Sequence, residues 1–473
     1  MTLNNIWLTF NFLTLIFVLF ANAGGTYVEH SKLQLITLIL IQIIFISLNK
    51  HLNNKLLALL NLHVLCFYTA RIPFLFSNSL LSDVIMRNVE ITQISSSLLY
   101  LNIEIVVFST IIILFKPLNN FFNVFINFKL IKNTNSILIF TMIIIILNMY
   151  VIITFWFYKN ILDNVFISIS LAILNLTAAQ ILLLALIIST KSSHLLWARI
   201  QICVQLFISA IVGSLNGSKS AVLQILELLI LSIIISYGSN YYINLRKFIY
   251  LLLFILSSFI GYLTGHYINH LREYLMAERI SGSQIKSVVD AVNTMSLSMP
   301  SSPVQSFGYR IGYLDFYIDK VTQQIYLKAF DFHNYLKAVL DGLTPGFNIW
   351  GDVPLVSRAV FNSYFGPSAG PNSEAITVFA EAHILMGHYS AIIYFGVLLL
   401  VYLFGKLCMS FSRSEYEKFA VLLFTGFCFE QYLSGFGLDY WFMANFVYLA
   451  ITVYASFLLV RFLSFVRHPQ SCR

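Results

Sequence analysis

Charge is what this chain has least of. Only 10% of its 473 residues are Asp, Glu, Lys or Arg, against 59% hydrophobic residues, and the mean hydropathy is +0.82. A soluble domain carries roughly 25% charged residues, so a water-surrounded globule is excluded. Cysteine is scarce too, with five residues in all. Cys66, Cys203 and Cys428 fall in apolar runs, and Cys408 and Cys472 fall in short segments expected in the cytoplasm. None lies in the long polar stretch described below, so no disulfide framework holds that stretch together, and Cys-x-x-Cys metal spacing is missing. Strict apolar–polar alternation is absent, which removes a closed β-barrel. No repeat of fixed period and no heptad pattern is present.

What remains is one apolar segment after another. Runs such as 33–48, 136–157 and 165–190 are long enough to cross a hydrocarbon layer of about 30 Å as helices, with every backbone polar group satisfied internally. Twelve spans are expected, at 6–23, 33–48, 56–76, 94–115, 136–157, 165–190, 200–215, 221–236, 248–265, 386–405, 419–434 and 441–460. The first lacks the basic flank of a cleaved leader, so it reads as a retained span. The net charge of +8 matters less than its placement. With the N-terminus inside, fifteen Lys or Arg fall in cytoplasmic segments, against Lys32, Arg87, Lys159 and Lys219 in the short outer loops. That asymmetry puts both termini in the cytoplasm, and in a bacterium the long polar segment would then face the periplasm or the cell exterior. An all-α integral membrane protein is therefore expected: nine spans in 1–265, a large extracytoplasmic, mainly helical loop in 266–385, and three spans with a cytoplasmic tail in 386–473.

The loop is the one place where charge concentrates. Between His266 and Glu381 lie ten Asp or Glu residues together with Arg272, Arg279, Arg310 and Arg358. On the outer face ATP is absent, so any reaction there must use a substrate that brings its own activated bond. Residues 267–295 have an amphipathic helical pattern broken near Ser281-Gly282, and 296–308 form a turn-rich stretch with Pro300 and Pro303. A second amphipathic stretch, 310–341, has an aromatic face of Tyr313, Phe316, Tyr317, Phe330 and Tyr335, the kind of helix that commonly lies at a membrane interface. A Gly/Pro-punctuated segment from Pro345 to Pro371 has the look of a lid. Asn372 or Ser373 then caps a helix expected to start near Glu374 and run into the tenth span.

On that helix Glu374, Glu381 and His388 recur every seven residues and share a face. Glu381 is the favoured site residue, a carboxylate base near the outer interface, because ionisable groups inside membranes are usually functional. Glu374 and His388 are secondary candidates; helix-terminus preference and ordinary packing would explain them as well. His383 lies across the helix from Glu381, so the two do not easily face one substrate. Arg310 and Arg358 suit the binding of a pyrophosphate, since a guanidinium is a planar fork that stays charged. A solvated helix face is the commoner fate of any one arginine, and the better account of Arg272 and Arg279. The turn at 213–220 has glycines that free backbone N–H groups, and Lys219 adds charge for an anion; its spacing is not that of a Walker loop. Arg71, Glu104, Glu227 and Glu430 are further charges inside spans, and pairing or a water-lined cavity would explain each.

This layout resembles that of the Wzy-type O-antigen polymerases, in the wider group that includes the O-antigen ligases. Gly217-Ser218-Lys219-Ser220 before an apolar span is similar to the group's Gly-Ser-Arg turn, with lysine in place of arginine. Ala380-Glu381-Ala382-His383-Ile384-Leu385-Met386-Gly387 is similar to the acidic, glycine-terminated start of the span after the large periplasmic loop. The resemblance implies a polymerase that transfers a growing glycan from undecaprenyl pyrophosphate to an incoming lipid-linked repeat unit. No nucleotide, nucleic acid or metal is then required. The implied partners are the lipid-linked oligosaccharide, the bilayer and a chain-length regulator. Glu381 and His383 are the implied catalytic residues, the latter because the ligase subgroup uses a histidine near this position; Lys219, Arg310 and Arg358 would hold the pyrophosphate. An O-antigen ligase, a polysaccharide flippase or secondary transporter, and a docking protein are the competing readings. One large off-centre insert without paired halves counts against transport.

Overall fold

The structure is a computed structural model that describes residues 2–21, 26–76, 91–123, 134–157, 176–189, 196–205, 220–238, 240–244, 249, 252, 256, 314, 317–318, 321, 332–343, 377–433 and 448–467. Among these the chain is helical, with no strand and one isolated antiparallel bridge between Thr2 and Tyr242. In chain order the helices are α1 (Leu3–Phe20), α2 (Thr26–Leu52), α3 (Lys55–Phe67), α4 (Ile72–Leu75), α5 (Ile91–Leu114), α6 (Lys116–Phe122), α7 (Thr134–Phe157), α8 (Leu176–Ser189), α9 (Ser220–Tyr237), α10 (Phe332–Leu343), α11 (Val378–Met386), α12 (Ser390–Ser410), α13 (Glu415–Leu433) and α14 (Tyr448–Arg467).

Five described helical stretches are long and apolar enough to cross a membrane: Leu3–Phe20, His30–Leu52, Lys55–Leu75, Gln93–Leu114 and Val378–Ser410, the last interrupted at Gly387. Shorter apolar helices at Asn135–Leu147, Thr177–Ile188, Glu227–Tyr237 and Leu449–Leu459 fall within the expected fifth, sixth, eighth and twelfth spans. Most of the expected seventh and ninth spans lies outside the described residues. The protein is thus a mostly helical chain of membrane type. Its outward faces agree: Leu13, Ile16 and Phe20 on α1 and Leu40, Ile44 and Leu48 on α2 are exposed, a surface suited to hydrocarbon and not to water.

Two compact units emerge. One comprises 1–127, 233–242 and 308–451, the other 128–232, 243–307 and 452–473. The first holds the residues of interest. Its core helix is α13, buried at every position from Tyr416 to Leu433 except Lys418. The helix opens with a reciprocal cap: Glu417 Oε2 accepts from the backbone N–H of Arg413 and Ser414, while Ser414 Oγ accepts from the N–H of Glu417. It packs on α3 and α12; α2 packs along both α1 and α5, and α12 packs also on α5 and α6.

α12 approaches its neighbours most closely at Gly405. A Cβ there would lie 2.8 Å from Phe121 Cζ and 3.1 Å from Thr425 Cγ2, whereas at Gly396 it would meet nothing within 4 Å. Gly405→Ala should therefore cost about 1–3 kcal/mol and lower the thermal unfolding midpoint in nanodiscs, with Gly396→Ala near neutral as its control. Equal midpoints for the two variants would refute this account of the packing.

The start of the tenth span departs from the expectation of one helix running in from Glu374. α11 begins only at Val378, capped by Thr377, whose Oγ1 accepts from Ala380 N at 3.2 Å. It ends at Gly387, which has φ 53 and ψ −122. A single turn of 3-10 helix, Gly387–Tyr389, then leads into α12. The two helices fold back on each other. Phe379 and Tyr394 have ring centroids 6.1 Å apart, where a continuous helix would separate them by about 22 Å. Phe379 packs beside Phe108 of α5 and His383 beside Tyr100, so α11 runs antiparallel to α5. α12 returns parallel to it, with Tyr394 stacked on Phe108 at 4.4 Å and Phe395 against Phe115. A side chain at Gly387 would meet no atom within 4 Å, so its penalty is conformational alone. Gly387→Ala should destabilise by about 1–3 kcal/mol without steric crowding, again read as a lower unfolding midpoint.

Candidate functional site

The hairpin places two carboxylates on opposite sides of α11. Glu381, 1% exposed, sits in the first turn, where the N-terminal end of a helix favours an acid. Its Oε1 accepts a hydrogen bond from the Tyr335 hydroxyl at 2.9 Å. Tyr335 is a buried residue of α10, which belongs to the polar stretch of the sequence. Tyr432 of α13 is within electrostatic reach of Glu381. The base candidate therefore meets the polar stretch of the sequence through Tyr335, with Tyr432 of the central helix in electrostatic range.

Glu104, on α5, occupies the other side. It is 4% exposed. Ser390 Oγ and Tyr394 OH both donate to its Oε2 at 2.6 Å, and His383 Nδ1 lies 3.5 Å from its Oε1. Hydrogen bonds this short to a carboxylate are charge-assisted and about twice as strong as neutral ones. Glu104 thereby ties α5 to the first turn of α12 and to α11 at once. His383 also rests on the Tyr100 ring at 5.0 Å, and His388 lies 5.9 Å from the same ring. Tyr317 is fully buried near this cluster. Burial, reinforced by Glu104, holds its hydroxyl proton well above the ordinary phenol range, so it remains neutral.

The sequence-predicted residues divide as follows. Glu381 and His383 are two positions apart on α11 and meet different partners, Tyr335 and Glu104. Glu381 and His388 do not share a helical stripe, because the break at Gly387 puts His388 in the turn, where it is exposed. Glu374, Lys219, Arg310 and Arg358 lie outside the described residues. The aromatic face expected at a membrane surface is not outward-facing where it is described: Tyr317 and Tyr335 are both buried in the protein, while His333, Leu336 and Leu340 of α10 face out. Arg71 is fully buried at the end of the 3-10 turn Thr69–Arg71.

Four contributors had no role assigned from sequence: Glu104, Ser390, Tyr394 and Tyr100. The signal for Glu104 was its charge within an apolar run. Ser390 and Tyr394 stand at i and i+4, one helical face, but nothing local marks that face as meeting a carboxylate. Among the described residues no three His, Cys, Asp or Glu side chains converge to hold a metal ion. The chain matches no family model, no curated protein and no solved structure.

Proposed function

We propose that the chain is a polymerase of the Wzy type, joining undecaprenyl-pyrophosphate-linked oligosaccharide units at the periplasmic face of the bacterial inner membrane. The acceptor hydroxyl oxygen bonds to the anomeric carbon of the growing glycan as the bond from that carbon to the pyrophosphate oxygen breaks, and undecaprenyl pyrophosphate leaves. Glu381 takes the hydroxyl proton. The observation that carries this reading is Glu381 itself: a buried carboxylate at the start of a half-length helix within the bundle, hydrogen-bonded by Tyr335 from the polar loop. A carboxylate that meets the polar stretch of the sequence on one side and the bundle on the other is suited to accept a proton from an acceptor hydroxyl. Lys219, Arg310 and Arg358 are the cations assigned to the departing pyrophosphate. The parallel course of α5 and α12 suits the reading, because the expected spans four and ten must run in the same direction.

A deletion strain separates this from ligation. Loss of long chains with single repeat units still attached to the lipid A core is the expected result; loss of all attachment would assign the chain as a ligase. A second reading has its own observation, since Glu104 and His383 in the interior of the bundle also suit a proton-coupled transporter. Purified protein that moves lipid-linked sugar across vesicles without joining units would replace the polymerase reading with that one.

A further inference from the structure

We infer that Glu104 and His383 form a proton-binding site inside the bundle, with one proton held between Glu104 Oε1 and His383 Nδ1 and exchanged with water through the imidazole. This does not depend on the sugar-transfer reading. Among the described residues the groups facing Glu104 are Tyr100 from its own helix, His383 from α11, Ser390 and Tyr394 from α12, and Tyr317. Among the described residues no Lys or Arg lies within 4 Å of it; the basic side chain it meets is His383.

The chemistry follows from that set. A carboxylate removed from water needs a compensating cation or a proton of its own. Both hydroxyls donate to Oε2, and among the described residues Oε1 meets the imidazole. A protonated Oε1–H donates to a bare Nδ1; after transfer the proton sits on Nδ1 and donates back to the carboxylate, while Nε2 keeps its own hydrogen. The O–H bond broken equals the N–H bond formed, and the pair keeps one mobile proton in either state.

The imidazole is also the more exposed partner. The His383 side chain is 17% exposed where Glu104 is 6%. It leads along Tyr100 to His388 and the exposed Tyr389 at the tip of the hairpin. An imidazole can take a proton at one ring nitrogen and release one at the other, which suits a relay between a buried acid and the surface.

The test uses the full-length protein in nanodiscs without substrate, titrated by infrared difference spectroscopy in the carboxyl C=O region. Wild type is expected to show a buried carboxyl band that appears on acidification and is lost in Glu104→Gln, an isostere that keeps an oxygen for both hydroxyls. Tyr394→Phe removes one donor from the carboxylate and should raise the protonation midpoint by a pH unit or more, about tenfold in proton affinity. His383→Gln should shift the midpoint and slow exchange. A band that persists unchanged in Glu104→Gln overturns the proposal. So do midpoints that match wild type in both Tyr394→Phe and His383→Gln, which decide the matter even if the Gln variant fails to fold.

Discussion

Glu381→Gln should reduce glycan polymerisation by about 10²- to 10⁴-fold, the range spanned by loss of a general base. Glutamine keeps the shape and an oxygen that accepts from Tyr335, so α10 should stay docked and membrane abundance should match wild type. The amide has no basic oxygen pair to take the acceptor's proton. In a strain lacking its own polymerase, the variant should leave single repeat units on the core with no ladder above them. Wild-type ladders at wild-type protein level would remove Glu381 from the mechanism and the polymerase proposal with it. Tyr335→Phe is the companion measurement. It deletes one donor to a buried carboxylate and should reduce activity far less than the change at Glu381 does.

Glu104→Leu should have the largest effect on stability. Three side chains from two helices are aimed at this carboxylate, and leucine leaves the Ser390 and Tyr394 hydroxyls in the interior with no acceptor there. Each orphaned hydroxyl costs about 1–3 kcal/mol, so a total of about 2–6 kcal/mol is expected. That is comparable to the margin by which many domains are stable. The variant should lose detergent-solubilised monodispersity or show a sharply lowered unfolding midpoint, whereas Glu104→Gln should fold. Leu and Gln variants of equal stability would mean that the polar contacts at this point contribute little to holding α11 and α12 against α5.

The helical, membrane-type character of the chain was legible because the apolar runs are unambiguous. A run such as α5 has no other way to satisfy its backbone in a membrane than as a helix. What sequence reasoning misjudged is the junction at Gly387. The seven-residue spacing of Glu374, Glu381 and His388 presupposes an unbroken helix, and periodicity carries no information about a single residue at positive φ. A 33-residue apolar stretch, Val378–Ser410, was itself a warning. As one helix it would measure about 50 Å, well beyond the hydrocarbon layer.

The site was legible by half for a related reason. Glu381 and His383 stand out as charge entering a span, and their two-residue offset correctly separates their partners. Glu104 was visible only as an anomaly. Its partners come from nearly 300 positions later in the chain, and such pairing depends on how α5 and α12 lie together, which no local pattern encodes.

Tyr335 ends in the interior although it belongs to the most polar part of the sequence. The region that would be trimmed first as a dispensable appendage then supplies a buried side chain to the bundle. A chain shortened by residues 332–343 would lack a piece of its own wall, and grafting that region from another protein would change the lining around Glu381.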